Sequence, residues 1–75
     1  MPPLPILKPK DVVGALQSAG FYIHHQRGSH ARLLCHAKPE ARVTIPMYNK
    51  ELPPKTLRAI IHQARLTVEE FIELL

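Results

Sequence analysis

Five histidines and ten lysine and arginine side chains are the groups in this 75-residue chain best suited to move protons or hold anions. His30 has the most pointed surroundings. It follows a Gly28-Ser29 pair able to make a tight turn, so its imidazole emerges at the start of a strand, near Arg27 and Arg32. An ordinary imidazole, with a pKa of about 6.5, exchanges protons at neutral pH, and adjacent cations favour its neutral, basic form. RNA cleavage needs such a group: something must take the 2′-hydroxyl proton while a cation stabilises the charge building on the phosphorane. Arg32 falls on the same strand face as His30 and can supply that cation. A solvated surface histidine beside a turn is the plainer reading of the same residue.

The other candidates carry less. Alternation along a regular strand puts His25 on the side of Phe21 and Ile23 and His24 on the opposite side, so at most one of the pair can join His30. Lys55, Arg58, His62 and Arg65 are spaced three, four and three, which aligns them on one side of a helix. The free N–H groups at that helix's start also attract phosphate. A basic helix side beside an open sheet suits double-stranded RNA, which proteins read through shape and backbone. It equally suits plain solvation. Cys35 stands alone, so it makes no internal disulfide and no multi-cysteine zinc site; an inward strand position makes it a small core residue. The histidines have no recognised zinc spacing, and neither metal nor cofactor is expected. No Gly-rich phosphate loop, Ser/His/Asp set or paired carboxylates appear, which disfavours the enzymes that depend on them.

These side chains must be positioned by a short chain. With 45% hydrophobic and 21% charged residues, the composition suits a globular domain, and the length suits one small domain over 1–75. Residues 1–8 read as an extended, proline-rich lead-in. Val12, Leu16 and Ala19, with Val13 beside them, predict a helix over 10–19 that begins near Pro9 and stops at Gly20. Residues 21–26 and 30–36 read as strands joined by the Arg27-Gly28-Ser29 turn. In the second, Ala31, Leu33 and Cys35 form one face and His30, Arg32, Leu34 and His36 the other. A third strand over 42–45 points Val43 and Ile45 inward. Leu57, Ile60, Ile61 and Ala64 then recur at helical spacing after Pro53 and Pro54. Thr67 and Glu70 form a capping box for a last short helix that offers Phe71, Leu74 and Leu75 for burial. The order α-β-β-β-α with a short C-terminal helix predicts an α+β fold: a three-stranded antiparallel sheet, helices on one face, the other face open.

Charge points to an anionic partner. The net charge is +4, yet residues 1–66 hold all ten basic side chains against Asp11, Glu40 and Glu51, while the last nine hold Glu69, Glu70 and Glu73. The longest apolar runs are only a few residues, so no membrane span is expected, and three prolines by position 5 argue against a signal peptide. The default expectation is a soluble cytoplasmic protein. A helix-turn-helix over 56–75 ranks last, because its second helix would present Glu69, Glu70 and Glu73 to DNA phosphates.

The ordered combination GFYIHHQRGSH at 20–30, VTIP at 43–46, TLRAIIHQA at 56–64 and LTVEEF at 66–71 resembles the HicA toxins, the small ribonuclease components of HicA–HicB toxin–antitoxin systems. The likeness runs from about residue 8 to the C-terminus. It implies a fold like the double-stranded-RNA-binding domain and a type II toxin that cleaves mRNA without a metal. His30 matches the catalytic histidine of the family's Gly-Ser-His, a general acid or base. Arg27, Ser29, Arg32, Lys55, Arg58 and Arg65 would be the RNA-binding residues. The resemblance also implies a HicB-type antitoxin that covers this surface, and makes that antitoxin, rather than this chain, the DNA binder. A non-catalytic RNA-binding module using the same surface is the alternative. Three positions depart from the family's pattern: Tyr48 where a histidine is common, and Lys55 and Arg65 where glycines are.

Overall fold

Prolines and glycines divide the chain, and the backbone turns where they stand. The structure, a computed structural model, describes residues 3–75. Residues 3–8 have no regular structure, as expected of the lead-in, whose residues 1 and 2 lie outside the described residues. Leu4 and Leu7 still lean on the core, and the Leu7 carbonyl accepts the Leu52 N–H at 2.8 Å.

Helix α1 (Pro9–Ser18) opens with a proline at the position whose N–H would be unpaired anyway. The Asp11 carboxylate accepts the Lys8 N–H at 3.0 Å, placing negative charge at the positive helix end. Strands β1 (Phe21–Arg27), β2 (His30–Cys35) and β3 (Arg42–Pro46) follow, then α2 (Pro54–Gln63) and α3 (Val68–Glu73). The three strands form one antiparallel sheet in the order β1-β2-β3. This is the expected α+β layout.

The inner sheet face and the helices share one core. Ala31, Leu33, Cys35, Val43 and Ile45 from the two alternating strands meet Val12, Val13 and Leu16 of α1 and Leu57, Ile60 and Ile61 of α2. Phe71, fully buried, anchors α3. A phenylalanine or leucine sealed this way contributes roughly 1.5–3 kcal/mol. Leu75 corrects an expectation: it stays 55% exposed, because α3 ends at Glu73 and leaves it beyond the last turn.

The first strand corrects another. Phe21 opposes Cys35 and Ile23 opposes Leu33, as alternation requires, but the next pair is His25 with Arg32. One extra residue, His24, is therefore accommodated as a β-bulge. Beyond it, the inward and outward positions of β1 are exchanged. Gln26 opposes Ala31, while His25 and Arg27 join the open side.

Both helix ends around Arg65 and Thr67 are held by local bonds. Leu66 N–H donates to the Ile61 carbonyl at 3.2 Å, Arg65 N–H to that of His62 at 3.0 Å, and Lys38 Nζ reaches the Arg65 carbonyl at 3.4 Å. Arg65 takes φ 61°, the left-handed conformation that usually calls for glycine after a helix. Thr67 N–H donates to Glu70 Oε1 at 2.8 Å and Glu70 N–H to Thr67 Oγ1 at 3.0 Å. Donation by the Thr67 N–H, then contact with the Thr67 side chain and the charge of Lys38, holds the Glu70 carboxyl below its ordinary pKa.

A left-handed non-glycine residue costs about 1–2 kcal/mol, offset in part by glycine's greater freedom in the unfolded chain. Arg65→Gly is therefore expected to stabilise the protein by about 0.5–1 kcal/mol. Urea unfolding should show a higher midpoint at an unchanged slope.

Candidate functional site

Because β2 is the central strand and its inner residues are sealed, its remaining side chains must stand on the open face. Directly opposed residues share a face. The pairing therefore lays three rows across the sheet: Tyr22, Leu34 and Arg42; His25, Arg32 and Thr44; Arg27, His30 and Pro46. His30 begins β2 after a two-residue loop whose Gly28 adopts φ 56°, a conformation other residues rarely take. The Met47 N–H donates to the Ser29 carbonyl, which fixes the loop against the end of β3. Ser29 Oγ lies 3.5 Å from His30 Nδ1, at the long limit of a hydrogen bond.

The second and third rows enclose a hollow of about 410 Å³ lined by His25, Arg27, His30, Ala31, Arg32 and Thr44. A neighbouring hollow of about 280 Å³ is lined by His24, Arg32, Leu34, Pro39 and Arg42. Arg32 belongs to both. Among the described residues, neither lining includes a carboxylate, so three guanidinium groups, with three imidazoles among them, form a positively charged surface. Such a surface concentrates anions. At its far end the Tyr22 and His36 rings stack, with centroids 4.7 Å apart and planes at 21°.

The sequence-predicted residues divide into two groups. Arg27, Ser29, His30 and Arg32 lie together at the first hollow or beside it. Lys55 and Arg58 do not. Leu57, Ile60, Ile61 and Ala64 turn α2 toward the inner sheet face, so Lys55 and Arg58 project from the opposite side of the molecule. Arg65 and His62, at the far end of α2, share a depression with Glu40, Arg42 and Gln63, beside β3. Tyr48 is 40% exposed and lines a separate hollow with Lys8, Pro9, Lys10, Met47 and Asn49. A larger hollow, about 460 Å³, lies between α1 and the C-terminus; Leu7, Ala15, Leu74 and Leu75 line much of it, with Lys10 and Asp11 as its charged side chains among the described residues.

His25 lines the hollow of His30, a placement that regular alternation does not give. One signal was present: residues 24–27 are four polar side chains in a row, which no half-buried strand of period two requires. His24 comes with it, since both line hollows on the open face, on the two sides of Arg32. Nuclear Overhauser contacts are the direct check. His25 ring protons are expected to contact Arg32 and Thr44; a direct pairing with Ala31 instead, and of His24 with Arg32, would mean the strand is regular.

Among the described residues, no group of three or more His, Cys, Asp or Glu side chains is arranged to hold a metal ion. No helix of the described residues is long and apolar enough to cross a membrane. No curated protein matches the chain. A family model described as the HicA toxin of bacterial toxin–antitoxin matches residues 9–66.

Proposed function

The chain belongs to the HicA toxin family of bacterial toxin–antitoxin pairs, and from that premise we propose that it is a cytoplasmic, metal-independent endoribonuclease that cleaves mRNA at His30. The observation that carries this reading is the shared hollow: an exposed imidazole beside two guanidinium groups on an open sheet face. RNA carries its own nucleophile, the 2′-hydroxyl, so the protein need only move protons and stabilise charge. His30 moves the proton. Arg27, paired across the sheet from His30, and Arg32, two residues along β2, hold the phosphate and offset the negative charge on the non-bridging oxygens of the phosphorane. Ser29 adds a hydroxyl at the hollow's rim.

Lys55, Arg58 and Arg65 act on RNA outside the hollow. A strand or duplex that leaves the sheet face and wraps around β3 first meets Arg65, then the solvent side of α2. These contacts are to the backbone and carry little sequence preference. The antitoxin is of HicB type, and its role is to cover His30 and the cationic sheet face; the excess of positive charge there favours an acidic covering surface.

Purified, antitoxin-free protein is expected to cut labelled RNA in EDTA. His30→Ala, verified as folded, should lose about 10²–10⁴-fold in rate, the usual contribution of one proton-transferring side chain. A folded His30→Ala protein that still cuts would sink the assignment, and binding without cleavage by the wild type would leave a non-catalytic RNA-binding module. The two groups of cations should separate in a salt titration. Arg58→Gln is expected to lower the slope of log affinity against log salt by about one while leaving the rate on bound RNA unchanged. Arg32→Gln should lower both.

A further inference from the structure

The bulge at His24 brings a second imidazole to the hollow of His30. His25 opposes Arg32, and His30 precedes Arg32 by two residues on the same strand, so His25 and His30 are diagonal neighbours on one sheet face. Diagonal Cβ atoms lie about 7–8 Å apart, within reach of aromatic side chains from both strands. That span holds one phosphodiester between two rings. Arg27 and Arg32 stand beside the same gap.

Resting on the proposed ribonuclease function, we infer that His25 is the second proton-transferring group and that His25 and His30 work as a pair across the scissile phosphate. One ring, neutral, takes the 2′-hydroxyl proton as O2′ bonds to phosphorus. The other, protonated, delivers its proton to the 5′-oxygen as the P–O5′ bond breaks. The products are a 2′,3′-cyclic phosphate and a free 5′-hydroxyl, and a proton exchange with water restores both rings. No oxidant, metal or further reactant enters. Tyr48 lines a different hollow and does not reach this gap.

The reaction needs one ring of each protonation state, which makes its rate bell-shaped in pH. The charged and titratable groups around His25 are His24 and Arg27 on its own strand and His30 and Arg32 on β2; β3 contributes Thr44, with Arg42 one row away. The test compares wild type, His25→Gln and His30→Gln, each verified as folded by circular dichroism. Two substrates are used after the cut site is mapped: ordinary RNA, and the same RNA with sulfur in place of the bridging 5′-oxygen at that site. A thiolate leaves without being protonated, so loss of the general acid no longer matters there.

His25→Gln is expected to lower kcat on ordinary RNA by about 100-fold or more with KM nearly unchanged, and to abolish one limb of the bell. One of the two variants, and not the other, should recover on the sulfur substrate, which also identifies the acid. A His25→Gln protein within about threefold of wild type would overturn the inference, as would a raised KM with unchanged kcat, since either leaves His25 outside proton transfer. Equal losses by both variants on both substrates would overturn it too. A wild type that cuts neither RNA brings down the ribonuclease reading itself, and the pairing with it.

Discussion

One dry face dictates the whole arrangement. A three-stranded sheet has two faces, and the helices can cover only one of them. The central strand settles which: Ala31, Leu33 and Cys35 are all buried, so His30, Arg32 and Leu34 have to point the other way. A slip of one residue would expose that apolar row and bury two charged or titratable groups, at a cost far above the stability of a small domain. The cationic surface is thus a consequence of the core. Its residues are placed by what lies beneath them, and the two-residue loop at Gly28 and Ser29 sets only where the row begins.

The edges of the sheet are managed separately. The outward N–H of Thr44 on β3 donates to Gln63 Oε1 at 3.0 Å, so α2 covers the edge it lies beside. On β1 the bulge and a run of polar side chains interrupt what would be a straight template for another strand. Positive charge on the open face adds repulsion between copies. A chain exposing a whole sheet face to solvent therefore has physical reasons not to stack on itself.

Much of this was legible in the sequence, wherever a period was strict. The alternation of 30–36 and 42–45 predicted the buried rows of β2 and β3, and Leu57, Ile60, Ile61 and Ala64 predicted the buried side of α2. The capping pair Thr67 and Glu70 was legible for the same reason, a fixed offset with a known bond pattern. The misses have physical causes as well. A bulge leaves only an indirect sign in the residues, here the polar run 24–27, and its place appears only when both partners' registers are known, so alternation alone puts His25 on the wrong side. Arg65 conceals a left-handed turn that glycine would have announced. The basic stripe on α2 is legible as a stripe from its spacing. Its distance from His30 followed only from the layering, because a side opposite the helix's buried face is also opposite the sheet's open one.

The bulge has a consequence for how such a surface can change over generations. It sits between the Ile23–Leu33 and His25–Arg32 pairs, so residues before it keep their core partners and those after it exchange sides. Gaining or losing a single codon there would swap which of His25, Gln26 and Arg27 stand on the open face, while Ala31, Leu33, Val43 and Ile45 stay where they are. The inventory of reactive groups on the open face thus depends on strand length as well as on residue identity. An insertion at this one point can bring a different side chain to the open face without any core residue having to be rewritten.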